Sequence, residues 1–406
     1  MSAFLGACSE LPAVRLQLGA GDRTVHYDNG GLIAADEPEA VFAARDILLA
    51  GGSAADAAAA LGLVLAVTLP SRVGLGGGGT CVHFDARAAD AQALDFMTRA
   101  AADDSGARFR AGVPATPRGL FVLHAKYGVL PWAQVVAPAE NLARFGYRVS
   151  RALARDLQEN SGSLVNDPRA LTAFMTPRRQ MLQAGEELRQ VDLAAMLGRL
   201  RVRGPGDFYT GALAHDVEDA VEGAGASVTA ADLRAFVPQW TPAAAVEDGD
   251  VSLFVPPRQI TGGDLPASAT ASRENAEGAT GFVVADSRGN TVACVLTMGR
   301  TFGLGIMPAG LGFLLAPAPE IAPQKAAPVI GISRTEHRLA FAAAVGGADA
   351  LTRAMAVART KHMPGGGAGL VNMLVCGGGE NVTSQRCQAI NDPRGAGTAL
   401  ALAPKE

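Results

Sequence analysis

Apolar and polar positions follow two regimes along this chain, helical spacing in the first part and strand-like alternation in the last. Asp36 precedes Pro38, with Glu37 and Glu39 at the positive end and Val41, Phe42, Ile47 and Leu48 at helical spacing, so the pattern predicts a helix capped by Asp36. Gly51-Gly52 stop it. Ser53-Ala54-Ala55-Asp56 has the form of a capping box and opens a second helix that runs to about residue 69, before Pro70. That helix is apolar nearly all round and is expected at the centre of the molecule. Residues 80–84 and 91–96 read as strands. Helical spacing returns over 119–145, 150–157, 193–200 and 212–221, with a short helix after Thr229. Residues 262–278, polar, small and Ala-rich, form the most linker-like stretch. Beyond it the pattern predicts a hairpin from Thr280 to Thr297, strands at 312–315, 329–333 and 339–345, and a helix after Gly347. Helices first and strands afterwards fit an α+β sandwich of sheets covered by helices.

The hairpin carries two hydroxyls. With a two-residue loop on Arg288-Gly289, Ser287 faces Asn290 and Thr280 faces Thr297. Thr280 and Thr297 then share one face, about 4.5 to 5.5 Å apart at Cβ, close enough for one to orient the other. A one-residue bulge abolishes that pairing. An ordinary hairpin whose threonines simply favour strands gives the same pattern.

Composition narrows the function classes. In 406 residues, 49% are hydrophobic and 18% charged, enough for a large core and far from the make-up of a disordered chain. The net charge of -4, with basic residues scattered among acidic ones, leaves no stripe for a phosphate backbone, so no nucleic-acid partner is expected. The apolar run at 54–69 is short and interrupted by Asp56, which argues against a membrane span. Leu5-Gly6-Ala7-Cys8 has the form of a lipoprotein cleavage box without a signal peptide before it: either the true start lies upstream or the match is accidental. Cys376 and Cys387 can close a disulfide, which implies an oxidising compartment, whereas Cys81 and Cys294 in apolar runs read as buried, inert thiols. No Cys/His spacing matches a zinc site, so no metal is implied. The glycines at 76–79 lack a following Lys-Ser/Thr and are expected to be structural, not phosphate-binding.

Several segments, in collinear order, resemble the γ-glutamyltransferase family of N-terminal nucleophile (Ntn) hydrolases. They are Gly51-Gly52-Ser53-Ala54-Ala55-Asp56-Ala57, the run from Gly74 to Gly79, Gly112-Val113-Pro114-Ala115-Thr116-Pro117-Arg118-Gly119, Tyr127-Gly128-Val129-Leu130-Pro131-Trp132, Gly206-Asp207-Phe208-Tyr209-Thr210-Gly211, Phe302-Gly303 and Gly346-Gly347. The C-terminal Cys387-Gln388 and Asp392-Pro393-Arg394-Gly395 are similar to a bacterial, exported subgroup. The resemblance implies a four-layer αββα sandwich made as one chain that cuts itself, here into 1–279 and 280–406, which stay associated. It implies a periplasmic or secreted protein, or a lipoprotein if the start lies upstream; the given start, taken as correct, implies a cytoplasmic one.

What the resemblance implies about chemistry can be followed residue by residue. Thr280 attacks the carbonyl of Ala279, and once freed as an N-terminal threonine it attacks γ-glutamyl amides such as glutathione without any cofactor. Thr297 matches the second threonine, which steadies the nucleophile. Gly346-Gly347 matches the pair whose backbone N–H groups face the oxyanion; from the residues alone it is equally a turn. The arginine for the glutamyl carboxylate falls on Arg99, since the aligned position after Leu94-Asp95-Phe96 is Met97, provided the segment stays extended. Glu320 is the candidate for the α-amine. The chain departs from the family at Gly299, at Ala316-Pro317-Ala318-Pro319 and at Ala326-Ala327, and an ungapped count back from Asp286 puts the family's threonine on Ala279 instead. A self-processing γ-glutamyl hydrolase or transferase is therefore expected, with a catalytically degenerate binding or structural module as the alternative.

Overall fold

A computed structural model describes residues 30–257, 278–321, 326–346, 370–377 and 386–403. The chain runs through β1 (Gly31–Ala35), α1 (Pro38–Leu49), α2 (Ala54–Thr68), β2 (Gly78–Asp85) and β3 (Asp90–Phe96). α3 (Thr116–Tyr127), α4 (Trp132–Phe145), α5 (Arg151–Asn160) and further helices lead to β4 (Gln239–Pro242), β5 (Ala244–Asp248) and β6 (Val251–Val255). The last part supplies β7 (Ala279–Asp286), β8 (Thr291–Thr297), β9 (Ala326–Ser333), β10 (Leu339–Gly346), β11 (Asn372–Gly377), β12 (Arg386–Asn391) and β13 (Thr398–Leu402).

These strands make two antiparallel sheets, one ordered β13-β1-β7-β8-β2-β3-β4 and the other β12-β11-β10-β9-β6-β5. Period-two alternation sorts the side chains of the first sheet. Ile33, Phe282, Val284, Cys294 and Leu296 turn to the helices, while Leu32, Val283, Ala285, Ala293 and Val295 meet Ile330, Ala342, Ala344 and Leu374 of the second. The outer face of the second sheet carries Val329, Phe341, Val345 and Met373. The fold is thus α+β, with the sheet-on-sheet centre expected of the αββα sandwich.

The helix α2 is central for the reason its sequence suggests: all of its residues are buried, and its small side chains let α1, α4 and the first sheet close on it. Its capping box is intact, with Ser53 Oγ accepting from Asp56 N and Asp56 Oδ2 accepting from Ser53 N at 2.9 Å. For α1 the expectation fails, because the N-cap is Glu37 and Asp36 turns inward to other partners. Residues 312–315 do not form a strand; positive φ at Gly310 and Gly312 bends the segment, and only an isolated bridge from Leu315 to Gly76 remains. Among the described residues no helix is long and apolar enough to cross a membrane.

Two further expectations change with the strand register. Cys81 and Cys294 lie directly opposite each other on β2 and β8 and are joined as a disulfide, not left as inert thiols. Cys376 and Cys387 are joined across β11 and β12, as the spacing suggested. The hairpin β7–β8 has a three-residue loop, Ser287 to Gly289, closed by Asp286 N to Asn290 O at 3.0 Å, with Gly289 at φ 86°. The Asp286 side chain selects this loop: its Oδ1 accepts from Arg288 N at 2.9 Å and Asn290 N at 3.0 Å, and its Oδ2 accepts from Ala54 N at the start of α2 at 3.1 Å. One extra loop residue shifts the pairing by one, so Thr280 faces Leu296 and Thr297 faces Ala279. Thr280 and Thr297 therefore point to opposite faces of the sheet.

Candidate active site

Alternation along β7 sends Thr280 to the helix-facing side, where it is 2% exposed. Its Oγ1 donates to Asp36 Oδ2 at 2.6 Å. The same carboxylate accepts from Asn372 Nδ2 of the second sheet at 2.8 Å, and that amide also reaches Gly281 O at 2.9 Å. Arg72 places its fork on Asp156, Nε to Oδ2 at 2.8 Å and Nη2 to Oδ1 at 2.9 Å. Its Nη1 stands 4.0 Å from Asp36 Oδ2. The result is a buried cluster of one hydroxyl, one carboxylate and one amide, drawn from β7, the end of β1 and β11.

The inter-sheet face of the same sheet holds a second constellation. Thr297 Oγ1 donates to Gly278 O at 3.0 Å and accepts from Gly299 N at 2.8 Å. Met298 N also donates to Gly278 O, at 2.8 Å. The carbonyl that precedes Ala279 thus carries two donors, while the residue paired with Thr297 offers only a methyl group. Ala279 is partly buried against the inter-sheet cluster. Next to it β7 and β10 press together, since a Cβ at Gly281 would lie 2.3 Å from Ala344 O.

The other expected site residues scatter. Gly346 ends β10, opposite Ala326, and Gly347 lies outside the described residues. Arg99 is exposed three residues beyond the end of β3, with its guanidinium 5.9 Å from the Phe236 ring centre. The strand β3 stops at Phe96, so Met97 and Arg99 both lie beyond its last residue. Glu320 is exposed in the turn after Ala318. Asp36, Asn372 and Arg72 escape sequence reasoning, since Asp36 meets Thr280 and Asn372 across separations of 244 and 336 residues.

Glu37, beside Asp36, is also buried, and its Oε2 has no hydrogen-bond partner. Burial pushes its carboxyl up to about 8, against the pull of a hydrogen bond from the Ser150 side chain. In the unfolded chain the group ionises near 4.5, so between 4.5 and about 8 the unfolded state loses a proton that the folded state keeps. Stability from this group is full below that window and falls as pH rises through it, by at most about 5 kcal/mol at about 1.4 kcal/mol per unit. Glu37→Gln is expected to remove this decline, as measured by urea unfolding across pH 4.5 to about 8; an unchanged slope would contradict the assignment.

With the geometry in hand, the chain can be set beside known proteins. The profile of the Gamma-glutamyltranspeptidase family matches residues 40–267, more than half of the chain. The glutathione hydrolase proenzyme of Escherichia coli K12 is 32% identical over 249 residues, 57% of this chain and 43% of that protein. The acylase ACY 1 proenzyme of a Pseudomonas species is 33% identical over 228 residues, 51% of this chain and 41% of that protein. The chain therefore spans less than half the length of these relatives. Among solved structures, a cephalosporin acylase from Bacillus halodurans shares the fold over 97% of this chain and 99% of its own, with a TM-score of 0.73 at 16% identity. The γ-glutamyltranspeptidase of Helicobacter pylori superposes over 59% of this chain and 69% of its own, with a TM-score of 0.50 at 26% identity. By the profile match, which covers more than half of it, the chain belongs to the γ-glutamyltranspeptidase family.

Proposed function

We propose that this protein is a self-processing hydrolase or transferase of γ-glutamyl amides such as glutathione, and that Thr280, working against Asp36, carries its chemistry. The observation behind this reading is the 2.6 Å contact between the Thr280 hydroxyl and a buried carboxylate at the first turn-out of β7. It replaces the expected partnership of Thr280 with Thr297, which the register rules out. Because Thr280 is 2% exposed in the uncut chain, no substrate can reach it before the bond from Ala279 to Thr280 opens, so the uncut chain is inactive. Arg99 and Glu320 remain the candidates for the charged head of the glutamyl group, from the resemblance alone.

Both pieces would stay together after a cut. β1 to β4 come from one side of it and β7, β8 and β13 from the other, yet they interleave in one sheet. Cys81 and Cys294 would also join the pieces covalently. The two disulfides support an oxidising compartment, hence a periplasmic or secreted protein.

A second reading is carried by Ala279. The residue opposite Thr297 has no hydroxyl, which favours a member of the family that stays uncut and serves as a binding or structural module. Intact mass after full reduction decides between the two, because an unreduced sample would hide the cut behind the Cys81–Cys294 bridge. Pieces 1–279 and 280–406, absent from Thr280→Ala, are expected. A single uncut chain after long incubation would favour the second reading.

A further inference from the structure

We propose that Asp36 is the base that takes the proton of Thr280 during self-cleavage, an inference that rests on the Thr280 reading above. The buried carboxylates of this protein differ in what holds them. Asp56 is saturated by fixed donors: His124 Nδ1 at 2.7 Å, Ser53 N at 2.9 Å, Val129 N at 2.8 Å and Leu130 N at 3.2 Å. Asp286 is likewise tied to the backbone N–H groups of Ala54, Arg288 and Asn290. Asp156 takes the two-pronged grip of Arg72 and the Ser71 hydroxyl at 2.7 Å. Each of those is neutralised or fully occupied, and each builds structure.

Asp36 is different. It is 2% exposed, and among the described residues its carboxylate is hydrogen-bonded by one amide and one hydroxyl. The nearby cation is committed elsewhere, since Arg72 lies at 2.8 and 2.9 Å from Asp156 but 4.0 Å from Asp36. Its Oδ2 receives the proton of the Thr280 hydroxyl, adjacent to the peptide bond expected to open. Asn372 holds the opposite oxygen, Oδ1, and so leaves Oδ2 aimed at Thr280.

The step balances without any co-reactant but water. Thr280 Oγ forms a bond to the Ala279 carbonyl carbon as its proton passes to Asp36 Oδ2. The tetrahedral intermediate then breaks its C–N bond, and the proton held by Asp36 goes to the departing nitrogen of Thr280. An ester on Thr280 Oγ and a free α-amine result, and water hydrolyses the ester to release the carboxyl of Ala279.

The test follows the freshly synthesised full chain by mass under reducing conditions, with circular dichroism as the check on folding. Asp36→Asn keeps the shape of the side chain and removes its basicity; it is expected to slow the cut by about 10²- to 10⁴-fold, the usual span for a general base. Asp36→Ala is expected to be as slow and to be accelerated by added formate, a small carboxylate that can occupy the vacated space and that a purely structural role would not respond to. A folded Asp36→Asn chain cutting at the parent rate, or an Asp36→Ala chain indifferent to formate, overturns the role of Asp36 while leaving Thr280 in place. A parent chain that is never cut overturns the Thr280 reading and this inference with it.

Discussion

Ala279→Thr, introduced together with Thr280→Ala, is expected to produce a new cut between residues 278 and 279. The cross-strand register places position 279 opposite Thr297 on the inter-sheet face, so a hydroxyl there would lie within reach of the Thr297 side chain. The bond to be opened is already prepared: Gly278 O accepts from Met298 N at 2.8 Å and from Thr297 Oγ1 at 3.0 Å, the two-donor arrangement that stabilises a developing oxyanion. Adding Thr297→Val removes one donor and should slow the new cut by about 10²- to 10³-fold. Reduced intact mass reads both effects. A folded double variant that stays whole would show that the two donors merely brace the hairpin.

Asp56→Ala is expected to cost about 3–5 kcal/mol of stability, since several buried donors lose one shared acceptor at about 1–3 kcal/mol each. The carboxylate joins three segments: it caps α2 through Ser53, anchors His124 of α3 at 2.7 Å and receives Val129 N and Leu130 N before α4. Removing it strands several buried donors at once. Burial by itself would raise its carboxyl, but the His124 bond and the N–H groups of Val129, Ser53 and Leu130 outweigh that and hold it below 3.8. Its contribution is therefore complete above 3.8 and fades as pH falls through the lower folded value. Urea unfolding near neutral pH with an unchanged slope is the measurement, and a loss under about 1 kcal/mol would refute the bracing role.

Local chemistry carried much of the architecture into view. The capping box at Ser53 and the short helix after Thr229 form as read, because each needs only residues a few positions apart. The all-round apolar pattern of α2 placed it at the centre, since a helix without a polar face has nowhere else to go. The short strands β4, β5 and β6 were not visible: they are partly exposed and lack a sustained alternation.

The candidate site was legible only in its parts. Thr280, Thr297 and the glycines around them could be singled out, but their faces depended on whether the loop held two residues or three. The Asp286 side chain, docked on the start of α2, decided that, and a shift of one residue reverses every side chain on a strand. The Cys81–Cys294 pairing and the hold of Asp36 on Thr280 were likewise beyond reach, at separations of 213 and 244 residues. By itself the amino-acid order determined the helices, the hairpin and the α+β class, which arise from periodicity and neighbours a few residues apart. Tertiary structure alone decided the register, the Cys81–Cys294 bridge and the partner of the candidate hydroxyl, because contacts between distant segments exist only once both sheets have closed.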